Sequence, residues 1–96
     1  MASRELLAAK WTAPVVLALG DGPLRYNRLL ERMPGISHRM LTATLRRLER
    51  EGLVERRELA ARGTHVQYRL SPAGRGLLPI LGELEGWARR HHRHLL

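Results

Sequence analysis

From Ile36 to Val54 the chain reads Ile-Ser-His-Arg-Met-Leu-Thr-Ala-Thr-Leu-Arg-Arg-Leu-Glu-Arg-Glu-Gly-Leu-Val. Ser37 is a helix cap, Gly52 is a helix stop, and Leu53-Val54 opens a strand with no linker between. No other stretch limits the possible folds as tightly. At roughly 100° per residue, Leu41, Leu45 and Leu48 fall on one side of the helical wheel. Arg39, Ala43, Arg46 and Arg50 fall on the other. Ser37 through Leu48 holds three arginines and no acid; the first acid is Glu49. The dipole of an isolated helix favours acids in its first turn. This helix carries Arg39 there, beside small polar Thr42 and Thr44. That composition suits a helix whose N-terminal half enters a phosphate-lined major groove.

The remaining elements follow from local signals. Ser3 to Lys10 is expected as a first short helix. Thr12 is read as the cap of a second, apolar helix through Leu19, with Pro14 in its first turn. Gly20-Asp21-Gly22-Pro23 ends it. Leu24-Arg25-Tyr26 reads as a very short strand. Asn27 is expected to cap a third helix through Arg32, with Leu29, Leu30 and Met33 inward. Pro34-Gly35 is the turn before the helix of residues 37–51. Leu53 to Leu59 and His65 to Leu70 read as two strands around the loop Ala60-Ala61-Arg62-Gly63-Thr64. Ser71-Pro72 starts a last helix reaching towards His94, kinked by the internal Pro79. Two helices joined by a Pro-Gly turn, then a hairpin, make a winged helix-turn-helix. The expected class is α+β, mainly α.

Composition narrows the partners. With 96 residues the chain is expected to be one domain, spanning residues 1–96. A hydrophobic fraction of 44% implies a folded core rather than disorder. The net charge of +8 attracts polyanions or anionic membrane surfaces. No apolar run is long enough to span a bilayer, so no membrane partner is expected. Met1-Ala2-Ser3-Arg4-Glu5 leads into an amphipathic stretch rather than a secretory signal, which makes the cytoplasm the expected location. The chain has no cysteine, so it has no disulfide, thiolate metal site or thiol switch. No nucleophile motif or phosphate loop is present. Neither enzymatic activity nor a cofactor is expected. In Arg89-Arg90-His91-His92-Arg93-His94 the histidines lack the i,i+4 spacing of a helical zinc pair. The run reads as a solvated basic helix end that suits the dipole.

Several blocks together resemble one family. They are Lys10-Trp11-Thr12, Gly22-Pro23-Leu24-Arg25-Tyr26, Pro34-Gly35-Ile36-Ser37, Met40-Leu41-Thr42, Leu45, Leu48, Glu51-Gly52-Leu53-Val54, Arg56, Tyr68-Arg69-Leu70-Ser71-Pro72-Ala73-Gly74 and Leu77-Leu78-Pro79. Over most of residues 10–88 the chain resembles the HxlR-type winged helix-turn-helix regulators of bacteria. The resemblance implies a homodimer built on the first and last helices. It places the helix of residues 37–51 in the major groove and the hairpin of residues 53–70 as a wing on the backbone or minor groove. It implies a transcriptional regulator, a repressor by analogy, responsive to stress or small molecules. Many such regulators sense electrophiles through an N-terminal cysteine; a chain without cysteine cannot use that mechanism. The wing loop differs too, carrying glycine where family members often carry proline.

The expected roles are these. His38, Arg39, Thr42, Ala43 and Arg46 are candidates for base-edge contact, since arginine pairs with guanine and a small side chain meets a thymine methyl. Arg47 and Arg50 reach phosphate, or form i,i+4 ion pairs with Glu51 and nearby acids. Ser37 caps, and its neighbouring N–H groups can hold a phosphate. Arg62, Gly63 and Thr64 form the wing contact, with His65 beside them. Arg25 and Asn27 are further phosphate candidates. Arg56 and Arg57 point to opposite strand faces, so at most one serves DNA. Leu77, Ile80, Leu81, Leu84, Trp87 and Ala88 form a stripe wider than an edge helix needs. With Leu6, Leu7 and Trp11 it is the expected dimer interface, and Gly82 and Gly86 allow close helix approach. Two rival readings stay open. One is a sensor holding an aromatic or quinone-like effector among Trp11, Met33, Leu81 and Trp87. The other is a winged helix that docks on an acidic protein.

Overall fold

The computed structural model describes residues 3–59 and 65–91, with side chains from Lys10 onward. The elements are α1 (Ser3–Leu19), β1 (Leu24–Arg25), α2 (Tyr26–Glu31), α3 (His38–Arg50), β2 (Val54–Glu58), β3 (Val66–Leu70), α4 (Pro72–Arg75) and α5 (Leu78–Arg90). The three strands form an antiparallel sheet in the order β1-β3-β2. The α2–turn–α3 pair followed by the β2–β3 hairpin is the winged helix-turn-helix expected from the sequence.

The first two expected helices are one. α1 runs unbroken past Thr12 with Pro14 inside it. An interior proline costs about 3 kcal/mol through its missing N–H and its ring. Beyond Pro14, Val15, Val16 and Leu19 are fully buried, each contributing about 1.5–3 kcal/mol. Burial therefore outweighs the break. Thr12 is not a cap; its hydroxyl accepts a hydrogen bond from Arg47 Nη2.

The start of α2 also differs. Its cap position is Arg25, Tyr26 is already helical, and no side chain caps it. Asn27 lies within the helix, not before it. The last helix is split rather than kinked. α4 closes at Gly76 and α5 starts at Leu78 with Pro79 in its first turn. Pro79 has no N–H to offer the Arg75 carbonyl, so the α4 ladder cannot extend, while a first-turn proline costs α5 nothing. Ser71 is the expected cap: its Oγ accepts from Gly74 N at 3.1 Å and donates to the Gly52 carbonyl at 2.6 Å.

α3 ends as its sequence requires. Gly52 has φ +77°, the left-handed region that favours glycine. Gly52 N donates to Glu49 O and Leu53 N to Leu48 O, at 3.0 and 2.9 Å. This paired closure ends the helix and turns the chain into β2. The core lies between α1, α3 and the sheet. It joins Val15, Val16 and Leu19 to Leu29, Met33, Leu41, Leu45, Leu48, Val54, Tyr68 and Leu70. Thr44, read from the sequence as part of the polar face, is fully buried. Its hydroxyl donates to the Met40 carbonyl at 2.8 Å, so its methyl packs in the core at no hydrogen-bonding cost.

Candidate nucleic-acid interface

The core anchors α3 through Leu41, Leu45 and Leu48, which leaves the opposite face outside. His38, Arg39, Ala43, Arg46 and Arg50 are exposed, and Thr42 is half-buried. Ser37 Oγ accepts from Met40 N at 3.0 Å and fixes the start of the helix. No acid occupies the first turn. Five other arginines are tied to glutamates: Arg28–Glu31, Arg47–Glu51, Arg56–Glu58, Arg69–Glu55 and Arg89–Glu85. Among the described residues no such ion pair holds Arg39, Arg46 or Arg50. The outer face of α3 is therefore cationic with its guanidinium groups uncommitted, as a phosphate-lined groove requires.

Arg47 is the exception on this helix. Its Nη1 lies 3.2 Å from Glu51 Oε1, its Nη2 donates to Thr12 Oγ1, and its Nε is buried. Of the two roles read from the sequence, the geometry is that of the ion pair. Arg47 clamps α3 to α1 instead of facing outward.

Sequence reasoning gave Tyr26 no role, yet it meets two of the base-contact candidates. Its Oη lies 3.3 Å from His38 Nδ1, 3.1 Å from the His38 carbonyl and 3.2 Å from Thr42 Oγ1. The two rings stack with centroids 5.8 Å apart. From the sequence Tyr26 only ends a very short strand before the Asn27 cap, which does not reveal the contact.

The wing is described only at its base. Leu59 N donates to His65 O at 2.8 Å, closing the hairpin. Arg62, Gly63 and Thr64 lie outside the described residues. Arg56 is spent on Glu58 at 3.1 Å, and Glu58, then Tyr68, hold its guanidinium above the ordinary value. Arg69 is paired with Glu55 at 2.7 Å. Arg57 sits opposite Gln67 and is exposed. Arg25 and Asn27 line a surface groove of about 560 Å³ with Arg28 and His65, between α2 and the start of β3.

The expected dimer stripe divides in two. Trp11, Leu77 and Leu81 pack against the core, and Ala88 is half-buried. Ile80, Leu84 and Trp87 are 61%, 57% and 42% exposed. They border a groove of about 570 Å³ with Gly82, Gly86 and Arg90. Gly82 has nothing within 4 Å of a built Cβ, and Gly86 meets only Arg90 Nη1. Leu6 and Leu7 lie on α1, with side chains outside the described set. Of the four residues proposed to line an effector pocket, Trp11, Met33 and Leu81 belong to the packed core cluster and Trp87 borders the α5 groove. Met33 is sealed in the core, and neither groove is lined by Trp11, Met33 or Leu81. Of the terminal histidines, His91 stacks on Trp87 at 4.7 Å; His92 and His94 lie outside the described residues.

Known proteins share this fold. The chain is 38% identical over 88 residues to an HTH-type transcriptional regulator of Methanothermobacter thermautotrophicus, covering 92% of this chain and 67% of the relative. The redox regulator HypR in its reduced form superposes with a TM-score of 0.83 at 31% identity, over 97% of this chain and 92% of HypR. The quinone-bound regulator YodB of Bacillus subtilis gives 0.74 at 33% identity, over 92% of this chain and 91% of YodB. Residues 6–95 match the model of the HxlR-like helix-turn-helix family. The chain belongs to that family and is a DNA-binding transcriptional regulator of the helix-turn-helix type.

Proposed function

We propose that the chain acts as a homodimeric repressor on an inverted repeat. The observation that carries the reading is the exposed cationic face of α3, whose Arg39, Arg46 and Arg50 have no carboxylate partner among the described residues. His38, Arg39, Thr42, Ala43 and Arg46 meet base edges in the major groove. Arg50 and the N-terminal turn behind Ser37 take phosphate. Arg62, Gly63 and Thr64 carry the wing contact.

The exposed Ile80, Leu84 and Trp87 on α5 support the dimer, since a folded chain rarely leaves such a cluster unpartnered. A two-fold axis through α5 sets two α3 helices in successive major grooves, about 34–36 Å apart. Repression then needs only occupancy, because a dimer across a promoter excludes polymerase. The test is protection of DNA from the chain's own genomic neighbourhood, with the mass of the free protein measured by sedimentation. Two protected half-sites one helical turn or a multiple apart, with a dimer mass, are expected. A single protected half-site or a monomer at micromolar concentration rejects the dimer. Equal binding to every duplex rejects the regulator.

A second reading adds an effector. It is supported by the quinone-bound form of YodB and by the α5 groove beside Trp87. With no cysteine, such binding is non-covalent with respect to thiols. Quenching of Trp87 fluorescence by quinones is its assay, and silence across a quinone panel rejects it.

A further inference from the structure

Charge explains the affinity of α3 for DNA but not which bases it selects. The group around the Tyr26 hydroxyl bears on selection. Tyr26 is half-buried at the start of α2, and His38 is exposed at the start of α3. The hydroxyl bridges them, with three polar neighbours: His38 Nδ1 at 3.3 Å, the His38 carbonyl at 3.1 Å and Thr42 Oγ1 at 3.2 Å. These are long for hydroxyl bonds, as expected where three partners share one oxygen.

With all three contacts taken as hydrogen bonds, the proton count gives each a direction. A phenolic hydroxyl has one proton and two lone pairs. The carbonyl can only accept, so it takes the Tyr26 proton. Both remaining partners must then donate, which puts protons on Thr42 Oγ1 towards Tyr26 and on His38 Nδ1. A neutral imidazole protonated at Nδ1 has Nε2 as a bare acceptor. Stacking against the Tyr26 ring, nearly parallel at 20°, holds the imidazole in that pose. Thr42, with its proton committed to Tyr26, cannot donate to a base; its methyl and the lone pairs of Oγ1 are what it offers.

We infer that Tyr26 is a positioning residue that sets base selection through His38 and Thr42. His38 Nε2 accepts from an exocyclic base amine, adenine N6 or cytosine N4, and the Thr42 methyl packs on a thymine methyl. Both groups are displayed in the major groove. The inference rests on α3 being the major-groove helix. Without the hydroxyl, Nδ1 loses its partner, the two tautomers compete, and Nε2 becomes a donor for part of the time. The charge of α3 and its phosphate contacts do not change.

The experiment has two arms. First, nitrogen NMR of the free full-length chain, with imidazoles neutral, reads the His38 tautomer directly. Protonation at Nδ1 is expected; protonation at Nε2 overturns the inference without any variant. Second, the wild-type chain selects its preferred duplex from a random pool, and binding is then measured with base analogues lacking one amine. Purine replaces adenine, and 2-pyrimidinone replaces cytosine. Loss of one hydrogen bond to His38 Nε2 is expected to weaken wild-type binding about tenfold at one position per half-site. Tyr26→Phe, which keeps the ring, is expected to discriminate less than about twofold there. Its salt dependence should match the wild type, a readout that a merely structural role would not preserve alongside lost selectivity. Discrimination unchanged in Tyr26→Phe, a uniform loss across all duplexes, or no amine dependence in the wild type overturns the inference alone. Selection of no sequence by the wild type overturns the DNA-reading role and this inference with it.

Discussion

Replacing Gly74 with alanine should cost far more than a helix-stabilising substitution normally does. In an open helix the change gains about 1 kcal/mol from propensity. Gly74, however, is buried in α4 against the start of the wing. A Cβ built there lies 2.1 Å from the Leu53 carbonyl oxygen and 3.2 Å from Leu70 Cδ2. An ordinary carbon–oxygen contact is about 3.3 Å, so α4 and the Leu53 carbonyl must separate by roughly 1 Å. That oxygen also accepts from Ser71 N at 3.0 Å. Moving it strains or breaks a buried hydrogen bond, at about 1–3 kcal/mol. Forced repacking adds about 1–3 kcal/mol. Even after the propensity gain, the net loss is about 1–5 kcal/mol. At about 4–8 °C per kcal/mol for a domain of this size, the melting temperature should fall by at least about 4 °C. Thermal denaturation followed by far-UV circular dichroism measures it, with urea titration giving the free energy. A variant melting within about 3 °C of the wild type refutes the close packing of α4 on the α3–β2 junction.

Three other outcomes are expected. Ser37→Ala removes the cap from α3 and should destabilise the fold by about 1 kcal/mol in urea titration, weakening DNA binding along with it. Leu84→Glu puts a charge on the exposed α5 face; it should shift sedimentation from dimer to monomer while leaving the circular dichroism spectrum unchanged. On the phosphate role proposed for Arg50, Arg50→Ala should lower the slope of log K against log salt by about 1, without altering sequence preference.

The winged helix-turn-helix was legible because its signals are local. Ser37, Gly52 and the leucine spacing fix α3 within a few bonds, and Ser71-Pro72 fixes the start of α4. The misread elements are those where distant contacts decide. Pro14 and Thr12 look like a helix start, but burial of Val15, Val16 and Leu19 carries α1 straight through them. Pro79 looks like a kink in one helix, whereas its missing N–H and the end of α4 at Gly76 make it the first turn of a new one. Within the binding surface, the exposed arginines followed from helical phase alone. Arg47 did not, since Thr12 and Glu51 turn it inward and Thr12 lies 35 residues away. Tyr26 was invisible for the same reason. Its contacts cross the turn between α2 and α3, and no spacing rule joins a tyrosine to a histidine 12 residues later.

The central claim, that the outer face of α3 reads DNA, is tested most directly by fluorescence anisotropy with the Arg39→Ala, Arg46→Ala double variant. Wild type and variant are titrated with the selected duplex and with a scrambled duplex, across a salt series. The wild type should bind the selected duplex at least about a thousandfold more tightly than the scrambled one. The variant should bind both weakly and about equally, with its fold intact. A variant that keeps the wild-type preference for the selected duplex contradicts the account, because base selection then resides somewhere other than α3.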